Sequence, residues 1–344
     1  MNVLFIGGTG TISMAITKRL AAEGHQLFLL NRGNRSVQLP DNVKFIRVND
    51  VNDEAEVKAK IAGMKFDVVC DFIIFHKEQA ERDFRLFSGI TNQFIFISSA
   101  SAYHKPLASY LITEGTTLAN PYWQYSREKI ECEEFFLDQY RQSGFPITIV
   151  RPSHTYDERS VPLGVHGDKG SWQVVKRMLE GKPVIIQGDG TSLWTMTHNS
   201  DFAKAFVGLM GNPHAIGEAF QITSDETLTW NQIYKSIAQA LGVELKPYYV
   251  SSDFLAEVGH YDLLGSLIGD KSNSVVFDNT KLKRAVPDFV TSVPFSKGVK
   301  QTVDYVLAHP ECQCPDPEFD LWCDSIIDSL EKAKKELKKI IFVK

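Results

Sequence analysis

Gly7-Gly8-Thr9-Gly10 follows the apolar run Val3-Leu4-Phe5-Ile6 and leads directly into a helical stretch, Met14 to Glu23. A glycine-rich string in that strand-turn-helix setting constrains the fold more than any other segment of the chain. It reads as the first βα turn of a sheet that holds a phosphate-bearing ligand. Gly7 permits the tight turn. Gly10 lets a pyrophosphate approach backbone N–H groups at a helix N-terminus, where the dipole favours an anion. Thr9, Thr11 and Ile12 complete this candidate phosphate segment. The third glycine of the usual G-x-x-G-x-x-G spacing is Ser13 here, a small residue at a position that serves helix-to-strand packing. The competing reading is a bare structural turn.

The rest of the N-terminal half supports a sheet. β-rich runs recur at Gln26–Leu30, Lys44–Val48, Val68–Phe72, Phe94–Ser98 and Ile147–Arg151, with helical stretches at Ala55–Gly63, Lys77–Phe87 and Tyr125–Gly144 between them. That alternation predicts a Rossmann-type doubly wound parallel sheet, with a smaller C-terminal α/β substrate lobe beyond it. Residues 1–152 form the predicted NAD(P)-binding domain and 153–344 the lobe, with some later segments free to return to the sheet. Helices are predicted over Ser171–Gly181, Ser200–Met210, Trp230–Leu241 and Asp316–Ile340, and a strand over Val184–Gln187.

The end of the second strand selects between the two nicotinamide cofactors, because an acidic residue there binds the ribose 2'-OH and repels a 2'-phosphate. This chain has Asn31-Arg32-Gly33-Asn34-Arg35, without a carboxylate and with two arginines. The lean is towards NADP(H), although an arginine can also stack on adenine. Asp50, at the end of the third strand, is placed either to hydrogen-bond the adenine amino group or to cap the following helix.

Tyr125 and Lys129 lie one helical turn apart, downstream of Ser98-Ser99. A tyrosine with its ordinary pKa of about 10 is a poor base at neutral pH. A lysine on the same helix face stabilises the phenolate, which makes proton exchange with a substrate hydroxyl feasible. Ser99 supplies a second hydroxyl to orient the reacting oxygen.

The ordered set Gly7-x-x-Gly10, Ile97-Ser-Ser-Ala-Ser-Ala-Tyr103, Tyr125-x-x-x-Lys129, Arg151-Pro-Ser-His-Thr-Tyr156 and Thr197-His-Asn-Ser-Asp201 resembles extended short-chain dehydrogenases/reductases. In particular it is similar to the NAD-dependent epimerase/dehydratase family of nucleotide-sugar enzymes. The resemblance spans roughly residues 1 to 310. It implies that Ser99 is the catalytic hydroxyl, with Tyr103 closing its motif, that Tyr125 is the acid or base, and that Lys129 lowers the tyrosine pKa and holds the nicotinamide ribose. It also implies a possible homodimer through the helix bearing Tyr125 and Lys129. Three departures stand out. Ala100 and Ser101 replace the Asp-Glu of the sugar-nucleotide 4,6-dehydratases, which disfavours that form of dehydration. Trp194 stands where epimerases carry a pyrophosphate-binding arginine; it cannot pair with phosphate but can stack on a base or sugar ring. His154 replaces a substrate-contacting asparagine and reads as a second acid/base group, an anion contact or a satisfied buried histidine.

The expected function is therefore an NAD(P)-dependent oxidoreductase of the epimerase/dehydratase type acting on a carbinol or ketone, with a (nucleotide-)sugar as the implied substrate class. One alternative is a net NADP(H)-dependent reductase or dehydrogenase of a small molecule. Another is RNA binding without turnover, since the plant chloroplast stem-loop RNA-binding proteins share the Ser-Ser-x-x-x-Tyr segment. A net charge of −5 gives no general attraction to nucleic acid. No apolar run reaches the ~18 residues of a membrane span, and Met1 enters a strand without a charged leader, so a cytoplasmic enzyme is expected. Five cysteines do not suggest a disulfide framework. His309, Cys312, Cys314 and Cys323 lack a paired C-x-x-C spacing, so no metal is expected. The Lys-rich end after Glu331 reads as a solvated helix face, with Ile326, Leu330, Leu337 and Ile341 as a stripe packed on the body.

Overall fold

The computed structural model describes residues 1–33, 39–259 and 261–341. Its described residues fall into two compact units. The first comprises Met1–Tyr156, Thr195–Thr227 and Val275–Pro294. It is built on seven parallel strands: β1 Asn2–Ile6, β2 Gln26–Asn31, β3 Val43–Arg47, β4 Val68–Asp71, β5 Phe94–Ile97, β6 Ile147–Pro152 and β7 Ala219–Ile222. Their order is β7-β6-β5-β4-β1-β2-β3, so the direction of winding reverses between β1 and β4. Ligands of such sheets bind outside the carboxyl ends of the strands at that reversal. The seventh strand arrives from far along the chain and pairs Phe220 with Val150.

Alternation along the strands shows why both faces are covered. Val3 and Phe5 enter one core while Leu4 and Ile6 enter the other, and Leu27 and Leu29 part from Phe28 and Leu30 in the same way. A period of two with apolar residues at every position leaves no polar face, as a sheet sandwiched between helices requires. Helix α1, Thr11–Ala22, packs into the first core through Ile16 and Leu20, beside the helix Asn199–Leu209. Helices α2, Glu54–Lys60, α3, Lys77–Phe87, and α4, Gln124–Ser143, cover the second, where Phe94, Phe96, Phe136 and Phe145 pack ring against ring. Helix α4 stops at Gly144, whose φ of 71° no β-carbon favours.

The second unit comprises Asp157–Trp194, Leu228–Ser274 and Phe295 to the C-terminus. Within it Val184–Gln187 pairs in parallel with Pro247–Val250. The C-terminal helix Pro317–Ile341 is tied to the helix Trp172–Leu179 by Arg177, whose guanidinium reaches Asp320 at 2.7 Å and Asp324 at 2.7 Å. Phe319, Cys323 and Ile326 of that helix are buried, whereas Leu337 of the expected stripe is 57% exposed. Among the described residues no helix is long and apolar enough to cross a membrane. No group of three or more His, Cys, Asp or Glu side chains among them could hold a metal ion; Cys323 is buried, Cys314 is exposed, and His309 stacks on Tyr305.

Candidate active site

At the carboxyl ends of β1 to β4 lies a cleft of about 480 Å³. Gly7 to Gly10 form its floor, Asn31 to Gly33 one wall, and Asp50 to Asn52 with Phe72, Ile73, Phe75 and Gln79 the other. Gly7 and Gly8 hold φ values of 95° and 87°. A β-carbon on Gly8 would meet Leu29 at 2.6 Å, whereas one on Gly10 would meet only Ser13 Oγ at 3.6 Å, so space opens above Gly10 and not behind Gly8. That cradle suits a pyrophosphate. Ser13 does more than fill the third glycine's place: its Oγ accepts the Gly10 N–H at 2.8 Å. The N–H of Gly10 is thereby engaged, and an anion is left to the following turn of α1. Thr11 opens that turn, and Ile12, partly buried, packs against the core.

Asn31 stands at the position that decides the ribose contact, yet its side chain is spent inside the protein. Its Nδ2 donates to Gly7 O at 3.3 Å and its Oδ1 accepts from Gly33 N at 2.9 Å. Arg32 lines the cleft and is exposed, and Arg35 lies outside the described residues. Asp53, not Asp50, caps α2, accepting from Glu56 N at 3.0 Å. The capping alternative for Asp50 therefore falls. Its Oδ1 accepts from the N–H and the Nδ2 of Asn52 at 2.9 and 3.1 Å, beside the cleft.

Tyr125, Lys129 and Glu133 recur at four-residue spacing on α4, one face of the helix. Lys129 is 2% exposed, and its Nζ donates to Ile74 O at 2.5 Å and Ile97 O at 2.8 Å. The ammonium lies 5.7 Å from the Tyr125 ring centroid and 4.8 Å from that of Phe75. Tyr125 itself is half-buried, packed on Trp123 at 5.1 Å. Ser99 Oγ accepts from Ser101 N at 3.2 Å and lies 2.8 Å from Ser101 Oγ, which accepts in turn from Ser126 Oγ at 2.7 Å. Ser101, noted in the sequence only as the loss of an acid, is thus the bridge joining Ser99 to α4. Ser126, between Tyr125 and Lys129, has no signature in the sequence, because a helical serine carries no signal until its partner is known.

Burial depresses the Lys129 pKa to about 8. Unfolded, the group titrates near 10.5. Between those values the unfolded chain binds more protons than the folded one, so stability rises with pH across the window, by about 3 kcal/mol in full. Below about 8 the folded protein bears the whole cost of the buried charge. Urea unfolding of the wild type and Lys129→Met at pH 7.5 and pH 10 is expected to show the stability difference moving in favour of the wild type at the higher pH. A difference independent of pH would remove the buried ammonium from the account.

Two expected substrate contacts are corrected. Tyr103 is 1% exposed; its OH donates to Gln221 at 3.0 Å and accepts from Arg151 at 3.4 Å, which makes it part of an interior network. Trp194 is 3% exposed and stacks on Trp230 at 5.6 Å, so this ring is core and not a platform for a base or sugar. His154 is half-buried, in the short strand His154–Tyr156 beside Met196–His198.

A parallel sheet, a glycine cradle at its point of reversal and a tyrosine over a buried lysine define a dinucleotide-dependent oxidoreductase class. The chain belongs to the NAD dependent epimerase/dehydratase family, whose model matches residues 3–223. It is similar to 2'-dehydrokanamycin reductase of Streptomyces kanamyceticus, 25% identical over 75% of this chain and 71% of that protein. It is also similar to the chloroplast stem-loop binding protein of 41 kDa b of Arabidopsis thaliana, 27% identical over 70% of this chain and 63% of that one. In fold it resembles the UDP-glucuronic acid 4-epimerase of Bacillus cereus solved with UDP-glucuronic acid and NAD, with a TM-score of 0.70, 20% identity, and coverage of 90% and 99%.

Proposed function

We propose that the protein moves a hydride between a nicotinamide cofactor and a carbinol or ketone carbon of a sugar-like substrate, in the manner of an epimerase. The observation that carries this reading is Lys129, an ammonium held in the interior against two carbonyls with the Tyr125 ring beside it. A protein bears that electrostatic cost where a neighbouring group needs the charge. Gly7 to Gly10, Thr11 and the backbone of Ile12 would hold the pyrophosphate, Asp50 the adenine and Lys129 the nicotinamide ribose. When bound, the nicotinamide ring supplies the hydride acceptor or donor. Tyr125 takes the hydroxyl proton as the carbinol is oxidised and returns it on reduction, its phenolate steadied by the Lys129 charge. Ser99 Oγ accepts the N–H of Ser101 and is linked through the Ser101 hydroxyl to Ser126, contacts that would hold it in place to orient the reacting oxygen. The lean towards NADP(H) rests on Asn31, a neutral side chain turned away from the ribose, and on Arg32 at the cleft.

Sugar chemistry is supported by the relatives, one named for a dehydrokanamycin and another as a UDP-glucose epimerase of Bacillus subtilis. The reductase name of the first favours a second reading, net reduction with release of the oxidised cofactor. The stem-loop-binding relative supports nucleic-acid binding instead; catalysis ranks ahead of it because Ser99, Tyr125 and Lys129 are all present on a chain of net charge −5. With nucleotide-sugars and NAD⁺ or NADP⁺, the expected result is inversion at one carbinol without net change in nicotinamide absorbance. With a keto-sugar and NADH or NADPH instead, loss of the reduced nicotinamide's absorbance in step with product assigns the reductase. If the dinucleotide binds and neither outcome appears across the sugar panel, the proposal is wrong.

A further inference from the structure

Asp71, Arg82 and Asp83 form a cluster of three ionisable side chains in the interior of the first unit, 0%, 5% and 0% exposed. Interior charges are costly unless their partners are nearly ideal, and none of the three belongs to the cradle or to the Tyr125–Lys129 pair. Arg82 and Asp83 are neighbours on α3, and Asp71 ends β4. The guanidinium of Arg82 spreads over three partners. Its Nε donates to Asp83 Oδ1 at 2.7 Å, its Nη2 lies 3.1 Å from Asp71 Oδ2, and its Nη1 donates to Asn52 Oδ1 at 2.7 Å.

Each of the outer partners controls one part of the cleft wall. Asn52 holds the Asp50 carboxylate through its N–H and its Nδ2. Asp71 Oδ1 accepts the Ile73 N–H at 2.6 Å, and the next carbonyl, Ile74 O, is one of the two that hold Lys129. The loop after β3 and the loop after β4 are therefore clamped to a single planar group from beneath.

We infer that Arg82 is the positioning residue of the cofactor cleft, fixing the Asp50–Asn52 loop for the adenine end and the Phe72–Phe75 loop for the nicotinamide end of one dinucleotide. This rests on the reading of the cleft as a dinucleotide site. A lysine cannot replace the arginine, because a single ammonium cannot span three partners in the fixed directions of a guanidinium.

The test needs no substrate. NADH and NADPH are titrated by their fluorescence into the wild type, Arg82→Lys, Asn52→Ala and the double variant, with a thermal melt of each. Arg82→Lys and Asn52→Ala are each expected to weaken the tighter dinucleotide by about tenfold or more. Asn52→Ala is expected to do so while still melting as a folded protein, and the double variant to lose no more than Arg82→Lys alone, since the two act in series. Wild-type affinity in both single variants overturns the inference, as do fully additive losses, which would make Asn52 a direct contact independent of Arg82. Should Arg82→Lys fail to fold, Asn52→Ala decides: unchanged affinity overturns the inference. A wild type that binds neither dinucleotide overturns the cofactor reading first, and this inference with it.

Discussion

Tyr125→Phe is expected to bind the dinucleotide as the wild type does and to lose turnover by about 10²–10⁴-fold, the contribution of a positioned acid or base. The substitution removes one oxygen and keeps the ring. Contacts of that ring with Trp123 and with the Lys129 ammonium survive, so folding and the cleft are expected to be unchanged. kcat is expected to fall while the affinity for NADH or NADPH stays within about twofold, since the hydroxyl acts on the reacting oxygen and not on the cofactor. Steady-state rates on any sugar that the wild type turns over, with a fluorescence titration alongside, give the answer. A variant with full activity would show that another group moves the proton, and His154 would be the next residue to replace.

Glu133→Ala is expected to destabilise the protein by about 3–5 kcal/mol, the usual cost of leaving a buried charge without its partner. Glu133 lies one turn beyond Lys129 on α4 and is 0% exposed; its two carboxylate oxygens take the Arg151 Nε at 2.9 Å and Nη2 at 2.5 Å. The same guanidinium reaches Glu114 O at 3.2 Å and the Tyr103 OH. Losing the carboxylate leaves a guanidinium that is only 4% exposed without its charged partner. Replacing both partners, Glu133→Leu with Arg151→Met, is expected to recover most of the loss, because the desolvation cost disappears with the charges. Urea unfolding of the three proteins measures both effects. A single variant within 1 kcal/mol of the wild type would show that the pair does not anchor α4 to β6.

The two expectations draw on different kinds of information. Tyr125 and Lys129 were legible in the sequence because both lie on one helix, where a spacing of four residues puts side chains on one face whatever the rest of the chain does. The six nearer strands were legible for a similar reason, since apolar runs bounded by turn residues report local periodicity. The partnership of Glu133 with Arg151 was not, because it joins a helix to a strand eighteen residues further on, and neither residue type marks its partner. The same limit hid β7, whose parallel pairing with β6 is made across the whole stretch between Pro152 and Ala219.

Spacing and order along the chain determined the parallel sheet, the glycine cradle, the helix that carries Tyr125 and Lys129, and the family. Tertiary structure alone decided which candidates face the cleft. It buried Tyr103 beneath Arg151 and Trp194 against Trp230, turned Asn31 onto the glycine loop, released Asp50 from capping by giving that task to Asp53, and drew Arg82 under two loops at once. The reason is physical: periodicity reports which face of its own element a residue occupies, whereas exposure and hydrogen bonding depend on what other segments bring to that face.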